Sequence, residues 1–321
     1  MILKKLALSI TVLALATVSA RAQINFEFNF SEPSHFTEPS KVALESAASV
    51  VEGLFRNYSA TISVEVESMN TRGSTLASAG PVIQPPIFNT PSFDLIGVAG
   101  DKILGKRDSN RGGPDGALTV NFYHPWDFDD DIAGNAFDFK SIMIHELLHV
   151  VGFSSWITEQ GQGYLNRRLG SPDIWAPFDR YVADSTGSII GRNYRLDVDR
   201  WNTASVGGKG TIPPSNGLYF NGPAAMSVFG GNPVPLYSPT EWAGAVVHLD
   251  DDFSGTQGMV MNAFSGRGQG IRAVSEVEIG ILKDIGYTLI VPEPHEYALI
   301  TGLALVMFVC VRKRLACTRI A

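Results

Sequence analysis

Residues 24–30, INFEFNF, alternate apolar and polar side chains, the period-two pattern of a strand with one buried face. The next patterned run, 38–58, changes period. Val42, Ala43, Ala47, Val50, Val51, Leu54 and Phe55 recur at helical spacing, with Ser40 as the expected N-cap and Glu45 in the early helix. Alternation returns over 60–68, ATISVEVES, and predicts a second strand. Residues 70–92 are rich in Gly, Pro, Ser and Thr and predict loop, while 93–104, FDLIGVAGDKIL, fits helix or strand. ALTVNFY at 117–123 predicts a third strand, and an acidic stretch then leads into a helix around HELLHVVG.

Beyond Gly152 the pattern weakens. Residues 178–190 predict a hairpin around Asp184–Gly187, and 202–242 read as largely irregular. A closing helix is expected within 275–289, with Val277, Ile281 and Ile285 on one face and Gly286 as its stop. No internal repeat is visible. The expected class is α+β, with an N-terminal mixed sheet and helices followed by a loop-rich C-terminal lobe.

The two ends change the picture. Lys4 and Lys5 precede the apolar run 6–18, and Ala20-Arg21-Ala22 offers small residues for cleavage, so 1–22 reads as a secretory signal peptide. At the other end a Pro-Glu-Pro turn precedes the apolar run 297–311 and the basic cluster Arg312, Lys313, Arg314. That run is shorter than the roughly 20 residues of a comfortable spanning helix. The order of motif, apolar run and basic cluster in 291–321 resembles the PEP-CTERM sorting tail of exported bacterial proteins. The resemblance implies a tail helix, removal by an exosortase-type enzyme, and delivery to the cell surface or extracellular polymer matrix. A simple tail anchor is the alternative.

Both cysteines, Cys310 and Cys317, fall in this tail, so the body 23–290 has no disulfide and relies on its core. Setting aside the seven basic and two acidic residues of the ends from totals of 25 and 32 leaves 18 against 30. A body this acidic is a poor partner for nucleic acid or an anionic membrane, which leaves the tail as its membrane contact.

The chemistry concentrates in HELLHVVGFSS, residues 145–155. Positions i and i+4 are neighbours on a helix face, so His145 and His149 aim at one point, with Glu146 beside them as a base for metal-bound water. Two histidines hydrogen-bonded within a buried helix is the bland alternative, and a costly one to satisfy. Gly152 can adopt positive φ, ending the helix and turning the chain beneath the metal. A catalytic zinc keeps three protein ligands and one water, so a third ligand is required. Ser155 is a poor one. Of the remaining histidines, His295 lies in the tail and His35 has nothing to recommend it. His124 precedes the motif and suits a role beside the metal or substrate; His248 has the best context. Met261 follows it in MVMNAF, where an ordinary core methionine is the alternative reading. Asp250 suits a carboxylate orienting a ligand. The acidic run 127–138 is dense enough for calcium but lacks EF-hand order, and a solvated loop is the favoured reading.

These residues together resemble the metzincin zinc proteases, in particular leishmanolysin-like exported bacterial relatives. His145, Glu146, His149, Gly152 and Phe153 match the first part of the pattern. His248-Leu249-Asp250 and Met261-Asn262 match the distant third histidine and the Met-turn, and LKDIGYTL resembles the closing helix. The resemblance covers most of 24–290 and rests on about thirty residues. It implies a two-lobed zinc endopeptidase divided near 152/153, acting on protein or peptide substrates. His145, His149 and His248 would hold the ion, Glu146 would be the general base, and Met261 would form a hydrophobic floor. Tyr287 and His124 are candidate oxyanion donors on chemistry alone. The competing class is a non-catalytic zinc-binding matrix or adhesive protein.

Overall fold

The computed structural model describes residues 23–84, 90–106, 108–165, 173–207, 216–239 and 245–289. The signal-peptide and sorting-tail expectations, on 1–22 and 291–321, lie outside the described residues. The described part is α+β.

Its main sheet has four strands in the order β1-β2-β4-β3: β1 Ile24–Phe30, β2 Ala60–Met69, β3 Ala77–Pro81 and β4 Gly116–Asn121. The first three in that order run parallel, and β3 runs antiparallel to β4. Helix α1, Glu38–Glu52, makes the crossover between β1 and β2 that parallel pairing requires. Its buried positions, Ala43, Leu44, Ala47, Ala48 and Val51, follow the i, i+3, i+4 stripe. Val42 and Val50, expected on that face, are exposed instead because they fall outside the stripe. The N-cap also differs from the sequence expectation: it is Thr37, whose N–H donates to the Oγ of Ser40 three residues on. Within 93–104, the undecided segment forms a short helix, α2, Val98–Ile103.

The chief departure is β3, which lies inside the segment read as loop. Its sequence, ASAGP, is made of small residues ending in proline. Such composition weakens a central strand but is tolerated at a sheet edge, where one row of backbone groups needs no partner.

The histidine helix, α3, Phe139–Val150, packs against α1 and β3 and is buried on nearly every side. Asp138 caps it, accepting from the Ser141 N–H at 3.2 Å. The same carboxylate receives Nε and Nη2 of Arg272 at 2.8 and 2.9 Å and the Gly270 N–H at 3.1 Å. The acidic run expected to be solvated, or to gather calcium, is therefore partly committed to cations of the chain itself. Asp130 pairs with Lys140 and Arg272, and Asp127 caps its own loop through the Asp129 and Ala133 N–H groups.

After α3 the chain is short elements stitched by buried side chains. The expected hairpin is present as β5 Val182–Asp184 and β6 Gly187–Ser188. It joins a small antiparallel sheet with β7 Tyr219–Phe220 and β8 Val234–Pro235. Helices α4, Val198–Ala204, and α5, Pro223–Val228, interrupt what the sequence suggested was irregular chain. Asp179, fully buried, accepts the Trp156 and Ala176 N–H groups and fixes the turn after α3. The closing helix, α6, Glu276–Asp284, begins with a Ser275–Glu278 capping box. It ends at Gly286, whose φ is +118°. Among the described residues no helix is long and apolar enough to cross a membrane.

Candidate metal centre

Local geometry at the end of α3 explains two of the candidate ligands. The Phe153 N–H returns to Leu148 O and the Gly152 N–H to His149 O, the paired bonds of a helix ended by a left-handed residue. Gly152 is that residue, with φ +104°. The reversal brings Phe153 O to 2.7 Å from Nδ1 of His149. Val260 O stands at the same 2.7 Å from Nδ1 of His145.

Both partners are carbonyls, which only accept. Each Nδ1 must therefore carry the proton, and each Nε2 is left with a lone pair. Those two Nε2 atoms are 3.1 Å apart. Neutral lone pairs facing one another at that distance repel unless a cation lies between them. Tetrahedral zinc with bonds near 2.05 Å would set two such nitrogens roughly 3.3 Å apart. Burial draws the pKa of His145 down, and burial plus the neighbouring His145 draws that of His149 to about 3, so both rings are in their ligand form at neutral pH.

His248 completes the group. Its ring stacks on His145 at 5.1 Å and meets His149 edge-on at 5.2 Å. Ligand atoms of the three lie within 4.8 Å of one another, enough to hold a metal ion. The chain carrying His248 is set by backbone pairing: the Tyr237 N–H donates to His248 O, and the Leu249 N–H to Met261 O. Met261 itself is fully buried. Asn262, beside it, donates to Thr256 O and accepts from the Met259 N–H, which closes the turn.

Glu146 lies in the wall of a cleft of about 630 Å³ together with His145 and His248. Burial pushes its carboxyl up to about 8, partly opposed by the Ala79 N–H of β3. A divalent cation alongside would favour the charged form again. Ser74–Ala77, the chain entering edge strand β3, line this cleft, as do Tyr237, Phe264 and Arg267. Tyr237 was not singled out by sequence reasoning; nothing local marks it, because it arrives through pairing with the His248 segment.

The remaining candidates separate clearly. His124 lines the cleft, with Nε2 3.1 Å from Thr75 O, but is outside the three-histidine group. Tyr287, proposed as an oxyanion donor, is elsewhere: its hydroxyl donates to Val151 O at 2.5 Å, at the C-terminal end of α3, and its ring packs on Phe55. A fully buried phenol serving an orphan helix carbonyl is a structural group. The carboxylate of Asp250 accepts the Asp252 N–H and shapes the turn after His248. The hydroxyl of Ser155 accepts the Ile157 N–H. His35 is tied to Ser68.

No protein-family model matches the chain, and no curated protein matches it.

Proposed function

We propose that this protein is an exported zinc-dependent endopeptidase with a two-lobed, metzincin-like catalytic body. The observation that carries the reading is three imidazoles converging within 4.8 Å, two with their proton-bearing nitrogens turned away onto carbonyls, beside a buried glutamate in a cleft. Softness, charge and number of these donors fit zinc with one position left open.

When bound, zinc would supply an acidified water, with a pKa of about 7, and a polarised scissile carbonyl. Glu146 accepts the proton of the attacking water and delivers it to the leaving amine nitrogen. β3 is an edge strand, and an extended peptide laid along its outer side would add as a further strand, bringing one peptide bond past Glu146. Its signal peptide and PEP-CTERM-like tail would carry the body to the cell surface or polymer matrix.

The test is metal content plus hydrolysis of casein, with Glu146→Gln alongside. Stoichiometric zinc in both proteins, activity in the wild type, and a loss of at least about a hundredfold in the variant is the expected result. Stoichiometric zinc with equal absence of activity in both would favour a structural zinc site in a matrix protein.

A further inference from the structure

Glu278 occupies the third position of α6 and is fully buried, which is unusual for a capping-box carboxylate. One oxygen does the ordinary thing: Oε2 accepts the Ser275 N–H at 2.6 Å. The other leaves the helix. Oε1 accepts the Met261 N–H, also at 2.6 Å.

The chain it grips touches two of the three candidate ligands. Val260, the residue before, holds Nδ1 of His145 with its carbonyl. Met261 O accepts the N–H of Leu249, the residue after His248. Residues 260–261 therefore act as a short gauge between the helix histidine and the loop histidine, and one carboxylate fixes the gauge to α6. Burial raises the pKa of Glu278, while the N–H groups of Ser275 and Met261 hold it down. A carboxylate can accept both bonds, whereas an amide has a single acceptor oxygen and would turn an NH₂ toward one of the two N–H groups.

We propose that Glu278 is a positioning residue for the metal centre, setting the spacing of His145 and His248 through the Val260–Met261 backbone. This role rests on the reading of the three histidines as metal ligands. It assigns the glutamate of the closing helix a second duty beyond helix capping.

The test uses the full chain and cobalt(II) as probe, reading affinity against a chelator and the visible absorption of the bound ion. Glu278→Gln is expected to weaken cobalt binding by about 10-fold or more and to alter the absorption envelope, in the range of other residues that orient metal ligands. Ser275→Ala is the control. It removes the hydroxyl that accepts the Glu278 N–H, so it lowers the melting temperature of the metal-free protein, yet it should leave affinity within about twofold because Met261 keeps its partner. Equal weakening by both variants, or no weakening by Glu278→Gln, would reduce Glu278 to a helix cap. Should Glu278→Gln not fold, Glu278→Asp carries the test: its stem is one methylene shorter, and a loss of at least about threefold is expected, with unchanged affinity overturning the role. A wild-type chain that takes up no cobalt overturns the metal reading itself, and this role with it.

Discussion

His145 and His149 reach their positions through four residues of helix, whereas His248 arrives 99 residues after His149 through chain with little regular structure. The first pair needs only α3 and the reversal at Gly152. The third needs backbone pairing of Leu249 with Met261, the turn closed by Asn262, and the grip of Glu278. In the sheet-and-helix region stability comes from apolar stripes buried on neighbouring elements. After α3, where Trp175, Trp201 and Phe220 are also buried, side-chain carboxylates add long-range ties: Asp179 on two backbone N–H groups, the half-buried Asp284 on those of Ala224 and Ala225, Glu278 on that of Met261. The candidate metal centre therefore joins one locally coded half to one half positioned by long-range hydrogen bonds.

The contrast can be broken first at its weakest strand, the loop ligand. His248→Ala is expected to abolish stoichiometric zinc binding, measured by elemental analysis, while His124→Ala retains it. The opposite pattern would move the third ligand to His124. Next in size is Arg272→Ala. It leaves the almost fully buried Asp138 carboxylate without its cation at the start of α3, and should cost about 2–3 kcal/mol in denaturant unfolding. A loss below about 0.5 kcal/mol would make the pair no better than a surface contact. The smallest expected effect is on the helix side. Gly152→Ala places a Cβ 2.7 Å from Cγ1 of Ile96 at a φ of +104°, and should cost about 1–2 kcal/mol. A neutral result would show that the reversal holding Phe153 O against His149 is not constrained by this residue.

How much could be read in advance follows the same division. The strands at 24–30 and 60–68, the crossover helix and the closing helix were legible, because each buries one face and the period appears within a dozen residues. Val42 and Val50 misled because two apolar residues adjoining a helical stripe look like members of it. The edge strand Ala77–Pro81 was hidden by its composition, since an edge asks little of its side chains. His145, Glu146 and His149 were legible as a local motif; His248 was legible only by resemblance and context. Tyr287 was misplaced because chemistry without position cannot distinguish a phenol facing a cleft from one capping a helix. That the second oxygen of Glu278 serves Met261 is a tertiary fact with no local sign.

X-ray absorption at the zinc edge of the purified protein tests the central claim most directly. Three nitrogen scatterers with imidazole outer shells at roughly 2.0–2.1 Å and one oxygen are expected, falling to two imidazoles in His248→Ala. A wild-type spectrum with two imidazoles or fewer, or one unchanged by that substitution, would contradict it.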